Sequence, residues 1–391
     1  MHPSPTESKS STTRPVIRLW VNGRFLGRKT TGVERVAHEL LAAISTQFLN
    51  TSGQHNTAEF DLQFHWALPS DFQGQLPAYG AHWPSKKIGT LTGHAWEQWS
   101  LARHASDDWV INLCNTAPLF RRQQVVFFHD AQVFALPKNF SWRFRLWYRC
   151  LLQCAGRRAK ILLTNSFFSQ SELAKFTGIS ADKFRVIHLG IDHILRLKPE
   201  LPEAVRQLDP NKKWMLAVSS ASPNKNFAGA VHAAMGANMH LVIAGQTYSK
   251  VFQQASFDQS NATQLGYVSD EELAGLYQHA ACLVYPSFYE GFGLPPLEAM
   301  QMGCPVVVSQ TSSLPEVCGD AGFYCNPSDA NSITEAVKKV IRIQEPELSQ
   351  VRQNAIRHAS QFTWQRSAEH FWQHLLSTLP SSQALKAKET S

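Results

Sequence analysis

The stretch ACLVYPSFYEGFGLPPLEAMQ, residues 281–301, constrains the fold more than any other part of the chain. Residues 281–285 form a short apolar run closed by Pro286, the pattern of a buried parallel strand. Two glycines flank Phe292 in the following loop, where a backbone without side chains can approach a ligand closely. Pro295 and Pro296 then mark the first turn of a helix, where a proline's missing N–H leaves no partner wanting. Strand, glycine loop and helix in succession form the repeating unit of an open α/β sheet, and such sheets bind ligands beyond the carboxyl ends of their strands. The free amides and positive dipole end of the helix suit a phosphate.

Two carboxylates frame this loop, Glu290 within it and Glu298 in the first turn of the helix. A carboxylate beside a phosphate would repel it, so Glu298 is expected to accept from hydroxyls, as Rossmann acids do from ribose. Glu290, on the other side, is placed to accept from a second set of hydroxyls. The implied ligand is a phosphate between two polyhydroxylated groups, which is the form of a nucleotide sugar. Either glutamate alone would be accounted for by an ordinary turn, with Glu298 merely favouring the helix dipole.

The Glu-x7-Glu spacing around Gly291-Phe292-Gly293, with Pro286-Ser287 ahead and GCPVVV over 303–308 behind, resembles the donor motif of the family 4 (group 1) retaining glycosyltransferases. The chain is also similar to bacterial polysaccharide mannosyltransferases. The resemblance covers roughly 14–377 and is tightest over 214–325. It implies an α/β protein of GT-B fold, two Rossmann-like domains facing across a cleft, and transfer of a sugar with retention at the anomeric carbon. It implies no cofactor, and without an Asp-x-Asp dyad near a strand end no metal is expected.

At 391 residues the chain exceeds the usual size of a single core, so two domains are expected. The expected layout is a disordered tail over 1–13, an acceptor domain over 14–198 and a donor domain over 199–365. A terminal helix over 366–379 would cross back to the first domain, and 380–391 form a second disordered tail. The Pro- and charge-containing stretch 199–210 is the expected linker. Strands are expected at 16–21, 61–68, 109–113, 124–128, 160–164 and 184–189, then at 214–218, 240–244, 281–285 and 304–309. Residues 70–95, rich in Gly, Pro and Gln, read as a long irregular connection.

Further candidate residues lie at strand ends. Gly32, opening a helix after a loop rich in Arg, Lys and Thr, resembles with Arg35 the family's first glycine loop; a plain turn is the competing reading. His129 and Asp130 end the apolar run VVFF, and resemble the family's His-Asp pair beside the donor sugar. The competing readings are a core histidine and a capping aspartate. Ser220, Lys225 and Asn226 lie in a strand-to-helix turn after 214–218, where a lysine acts as a point-charge phosphate binder. The family commonly has arginines where this chain has Ser219 and Asn224, so diphosphate neutralisation falls to Lys225 or to Arg28, Lys29 and Arg35 across the cleft. Val268 matches the segment that holds the nucleotide base through the backbone. The resemblance thus assigns catalysis to His129, Asp130 and Glu290. It assigns donor binding to Gly32, Ser220, Lys225, Asn226, Val268, Glu290, Gly291, Phe292, Gly293, Leu294 and Glu298.

Charge is distributed unevenly. Residues 14–198 hold 23 Lys and Arg against 12 Asp and Glu, a net +11, whereas 199–391 hold 13 against 17, a net −4. A basic first half suits an anionic partner such as a membrane surface or a lipid diphosphate. No zinc-finger spacing or RNA-binding aromatic motif supports nucleic acid. Residues 138–160 interleave seven Lys and Arg with five aromatics and no acid. As a helix, this segment would align Phe144, Trp147, Leu151 and Cys154 beside a stripe of Arg145, Arg149 and Gln153, a pattern suited to anionic headgroups. The alternative is a stripe packed on the sheet.

No apolar run approaches the ~20 residues of a membrane span, and no apolar signal segment opens the chain. The seven cysteines are scattered without a Cys-x-x-Cys pair, which predicts buried free thiols in a reducing compartment. The expected setting is cytoplasmic, on the inner face of the membrane. The expected partners are a nucleotide-sugar donor, with GDP-mannose the first choice, and a glycan or polyprenyl-diphosphate-linked acceptor. A nucleotide-sugar epimerase of GT-B type and a non-catalytic sugar-nucleotide-binding protein are the alternatives. An NAD-dependent Rossmann enzyme is disfavoured because Gly-x-Gly-x-x-Gly is absent.

Overall fold

The computed structural model describes residues 14–219, 222–245 and 259–379. Both expected tails, 1–13 and 380–391, lie outside the described residues. The first sheet comprises β1 (Val16–Asn22), β2 (Gln54–Asn56), β3 (Asp61–Pro69), β4 (Ser85–Ile88), β5 (Trp109–Asn112), β6 (Gln124–Phe127), β7 (Ile161–Thr164) and β8 (Phe184–Val186). Its order is β2-β3-β1-β5-β6-β7-β8, with β4 also on β3, and every pair but β2–β3 is parallel. The second sheet comprises β9 (Trp214–Ser219), β10 (His240–Gly245), β11 (Ala262–Gly266), β12 (Cys282–Tyr285), β13 (Val306–Ser309) and β14 (Phe323–Cys325). It is wholly parallel in the order β11-β10-β9-β12-β13-β14. Counted from its first strand this is the 3-2-1-4-5-6 order of a doubly wound sheet.

The central strands β5, β6, β7, β12 and β13 are buried at every position, as parallel strands covered on both faces must be. Their apolar runs made them legible. The connection over 70–95 is less irregular than expected. Three of the four residues of β4 face solvent, so Ser-Lys-Lys-Ile carries no alternation, and the strand exists because β3 offers it a parallel partner. A helical segment from Gly93 to His104 follows, with a π-helical stretch at Trp96–Leu101. It is anchored by Trp96, fully buried, whose indole donates to the Ile88 carbonyl at 2.8 Å.

The last helix, Trp364–Leu376, packs against the helix Gly32–Phe48 of the first domain, with Trp372 stacked on Phe48 at 4.6 Å. Phe371 and Leu375 are buried there as well, and burying such side chains stabilises by about 1.5–3 kcal/mol each. The two domains are therefore tied by a returning segment and not by the 199–210 stretch alone. This is the GT-B arrangement: two parallel-sheet domains with the carboxyl ends of their central strands turned towards one cleft.

The basic aromatic segment forms the helix Trp142–Arg158, N-capped by Ser141. Its second half packs, with Leu151, Leu152 and Ala155 buried, while Trp142 (66% exposed), Leu146 (62%) and Phe144 (39%) face solvent. The expected stripe is thus divided: Leu151 belongs to the core and Phe144 to the surface. Four cysteines, Cys282, Cys304, Cys318 and Cys325, are buried free thiols as expected, but Cys150 is exposed on this helix. No helix among the described residues is long and apolar enough to cross a membrane.

Candidate active site

In the second sheet the order of the strands reverses between the parallel neighbours β9 and β12, and the loops leaving these two strands converge. β9 leads to the turn Pro223–Lys225 and β12 to the 286–293 loop. The two are stitched together: the Phe288 amide donates to the Asn224 carbonyl at 2.7 Å, and the Asn224 side chain donates to the Tyr289 carbonyl at 3.0 Å. Where the family resemblance suggests an arginine, this chain therefore uses an amide as a loop tie.

The Lys225 ammonium lies 2.8 and 3.0 Å from the two oxygens of Glu290 and 2.5 Å from the Tyr285 hydroxyl. Burial would lower it, but the Glu290 carboxylate and Tyr285 outweigh burial and hold it above its ordinary value. Lys225 is a fixed cation.

Serines hold the 290s loop from both domains. Ser313 donates to the carbonyls of Glu290 (3.0 Å) and Phe292 (2.6 Å), and Ser312 accepts from the Glu290 amide at 3.2 Å. From the first domain, Ser166 and Ser169 donate to the Gly291 carbonyl at 2.6 and 2.9 Å. Gly291 is obligatory by proximity, since a Cβ there would lie 2.7 Å from the His129 carbonyl. Gly293 is obligatory by conformation, with φ at 120°. The loop's carbonyls are thus occupied, while nothing among the described residues accepts from the amides of Gly291, Phe292 and Gly293. Those amides lead into the helix Leu294–Gln301.

Glu298 lies one turn along that helix, buried but on the cavity wall, 3.1 Å from His193 Nε2 and 3.3 Å from the Tyr277 hydroxyl. Opposite, the first domain presents His129 and Asp130 just past the end of β6. The His129 amide donates to Asn115 Oδ1 at 2.8 Å, and its ring Nε2 is 2.8 Å from the Leu113 carbonyl. A carbonyl only accepts, so Nε2 carries the hydrogen, and burial pushes the imidazole down to about 4. At neutral pH Nδ1 therefore has no hydrogen and can only accept. Asp130 accepts from the Gln132 amide at 2.9 Å, and burial, reinforced by Glu290, raises its carboxyl above the ordinary value.

These groups share one cavity of about 480 Å³, within the range of small-molecule sites. Gly32, His129, Asp130, Lys225, Glu290 to Leu294 and Glu298 all line it. Asn226 and Val268 do not. Asn226 has a left-handed backbone (φ 49°) and caps the helix Phe227–Ala237, accepting from Gly229 while donating to the Pro327 carbonyl at 2.8 Å. Val268 packs against the core, and Asp270 and Leu273 of the next turn reach the cavity instead. Ser220 lies outside the described residues.

Among the described residues the wall carries two permanent cations, Arg35 and Lys225, and four carboxyl groups, Asp130, Asp270, Glu290 and Glu298. Arg35 reaches across the cleft to Asp270 at 2.6 Å. Burial opposes its charge, and Asp270 more than restores it.

Sequence reasoning missed His193, Tyr285 and Glu316. Tyr285 stood in view, at the end of an apolar run just before Pro286. His193 and Glu316 act on residues more than 100 positions away, and no local pattern marks such a contact. Glu316 of the second domain accepts from the amides of Phe167 (2.8 Å) and Phe168 (3.0 Å), which open a first-domain helix, and lies 2.7 Å from His188. Burial would raise this carboxyl, but His188 and the two amides hold it below its ordinary 4.5.

The site can be set beside known proteins. Residues 202–358 match the family described as "Glycosyl transferases group 1". The chain is 33% identical over 258 residues to O-antigen chain mannosyltransferase B of Escherichia coli, covering 62% of this chain and 67% of that protein. It is 30% identical over 238 residues to O-antigen chain mannosyltransferase RfbU of Salmonella typhimurium, covering 59% and 64% respectively. In fold it is similar to a sucrose-phosphate synthase of Thermosynechococcus elongatus, with a TM-score of 0.67 at 16% identity over 94% of this chain and 100% of the other. The glutamate pair, the glycine loop at the strand-order reversal and these matches agree, and the chain belongs to the group 1 glycosyltransferases, with the GT-B fold.

Proposed function

We propose that the protein transfers a mannosyl residue from GDP-mannose to a hydroxyl of a lipid-linked glycan during surface polysaccharide synthesis, with retention at the anomeric carbon. The carrying observation is the 290s loop, whose amides at Gly291, Phe292 and Gly293 have no acceptor among the described residues and which lines one cavity with Lys225, Glu290 and Glu298. The mannose and the polysaccharide context rest on the names of the two O-antigen relatives.

With four carboxyl groups on the wall, a diphosphate is stable only where donors outnumber acids. That place is the helix N-terminus beside Lys225, where amides and dipole act together. Lys225 would then be shared between Glu290 and the diphosphate, and Glu290 would orient the sugar hydroxyls. Glu298 would accept from the ribose. His129, bearing only an acceptor at Nδ1, would take a hydrogen bond from a sugar hydroxyl, and Asp130 would close the reacting face. As the bond between the anomeric carbon and the phosphate oxygen breaks, the acceptor hydroxyl bonds through its oxygen to that carbon on the same face, beside the departing phosphate oxygen. It can take that hydroxyl's proton, so no protein base is required.

The exposed Trp142, Phe144 and Leu146 beside Arg143 and Arg149 support a lipid-borne acceptor, since basic and aromatic side chains together suit an anionic interface. The test is a thermal-shift screen with GDP-mannose, UDP-glucose, UDP-galactose and dTDP-rhamnose, followed by transfer assays with the stabilising donor. A ligand that binds the native state raises the melting temperature. Stabilisation by GDP-mannose and transfer to a lipid-linked glycan are expected. Stabilisation by another donor alone would overturn the mannose assignment, and conversion of the donor without an acceptor would show an epimerase.

A further inference from the structure

His193 lies in the turn Asp192–Arg196, far in sequence from the donor loop, and it is buried together with Glu298 and Trp364. Its Nδ1 is 3.1 Å from the indole Nε1 of Trp364, the first residue of the returning helix, and its Nε2 is 3.1 Å from Glu298 Oε1. The same turn is pinned twice more to that helix start. The Trp364 amide donates to Asp192 at 2.7 Å, and the Ile191 amide donates to the Phe362 carbonyl at 3.0 Å.

An indole N–H can only donate. Nδ1 must therefore present a lone pair, because a hydrogen there would face another hydrogen at hydrogen-bonding distance. The ring is left with its hydrogen on Nε2, aimed at Glu298. The Tyr277 hydroxyl donates to the other oxygen at 3.3 Å, so both Glu298 oxygens are held from the protein side. Glu298 also lines the cavity, and lone pairs not engaged by His193 and Tyr277 remain for a ligand's hydroxyls. A neutral donor orients the carboxylate without forming an ion pair that would compete for those hydroxyls.

We infer that His193, with Nδ1 kept free of a hydrogen by the Trp364 indole, is a positioning residue for Glu298, so that affinity for the ribose of the donor depends on the helix that returns from the second domain to the first. This rests on the reading of Glu298 as the ribose acceptor.

The two ring nitrogens can be replaced separately. In His193→Gln the amide reaches the Nε2 position and still donates to Glu298. In His193→Asn the amide reaches only the Nδ1 position and can still accept from Trp364. Calorimetry on the full chain would use whichever of GDP and UDP binds, beside its 2′,3′-dideoxy form. Wild type and His193→Gln should prefer the ribonucleotide by about tenfold, the loss expected for a hydrogen bond to a charged acceptor. His193→Asn should lose most of that preference, with the donor KM raised and kcat little changed. Trp364→Phe keeps the ring packing but removes the donor facing Nδ1, and ¹⁵N spectra of the His193 ring should then show a hydrogen on Nδ1, which wild type lacks, as well as the one Glu298 holds on Nε2. That variant keeps the question answerable if His193→Asn fails to fold. If wild type does not distinguish the two nucleotides, the ribose reading of Glu298 fails. The relay fails if wild type distinguishes them and His193→Asn does so equally well, if Asn and Gln lose the preference alike, or if Trp364→Phe leaves Nδ1 as bare as in wild type.

Discussion

Replacing Lys225 with alanine separates what the ion pair does for the fold from what it does for the donor. The Lys225 and Glu290 side chains are 21% and 11% exposed, so the pair lies at the edge of the cavity and not in a dry core. Removing one partner of a fully buried pair costs about 3–5 kcal/mol, and an exposed pair contributes about 0–1 kcal/mol. A mostly covered pair that opens on a cavity should fall between, at about 1–3 kcal/mol. Chiefly this is the cost of leaving Glu290 without a counter-charge. The donor loses more directly, because a charge-assisted hydrogen bond to the diphosphate contributes about 1.5–3 kcal/mol, or roughly ten- to 150-fold in affinity. The double variant Lys225→Ala with Glu290→Gln removes the stranded carboxylate and should regain most of the lost melting temperature while remaining inactive. Thermal denaturation with and without nucleotide, together with transfer rates, reads both effects. The ammonium is held above its ordinary 10.5, so its stabilisation is complete below that pH and disappears only as pH rises through the higher folded value. A Lys225→Ala protein that binds donor and transfers sugar as well as wild type would refute the assignment and shift the neutralising role to Arg35 and the loop amides.

Glu298→Ala should weaken nucleotide binding by about tenfold or more, whereas Glu290→Ala should chiefly lower the transfer rate; equal effects of both on nucleotide affinity would contradict the division of roles. Glu316→Gln should lower stability by about 1 kcal/mol through loss of a charged helix cap that joins the domains. Because the Glu316 carboxyl is held below its ordinary value, its contribution is complete above about pH 4.5 and is lost as pH falls further, so urea unfolding of the variant should be less acid-sensitive than that of wild type. Changing Arg143 and Arg149 together to Glu should release the protein from anionic vesicles without lowering its melting temperature, since each cation near such a surface contributes about 1 kcal/mol. Vesicle binding that survives this change, or that needs no anionic lipid, would remove the electrostatic anchor.

What the sequence determined by itself was whatever is carried by neighbours along the chain. The buried strands announced themselves as apolar runs, and the 281–301 stretch carried its strand, loop, prolines and both glutamates within about twenty residues, so the donor loop was legible before any fold was known. His129 and Asp130 could be placed at a strand end for the same reason. Tertiary structure decided everything that depends on surfaces meeting. The strand Ser85–Ile88 has no pattern of its own and exists because β3 has an open edge. Asn226, legible as part of a phosphate-type turn, spends its side chain on a cap and on the Pro327 carbonyl once the helix Phe227–Ala237 is docked. Phe144 and Leu151 share a helical stripe in the sequence, yet one meets solvent and the other the core, because the domain ends partway along the helix. The chain from Trp364 through His193 to Glu298 joins three segments up to 171 positions apart. Hydrogen bonds of that kind depend on distances of about 3 Å and on the direction of a lone pair. Only the packing of two domains and a returning helix can set those.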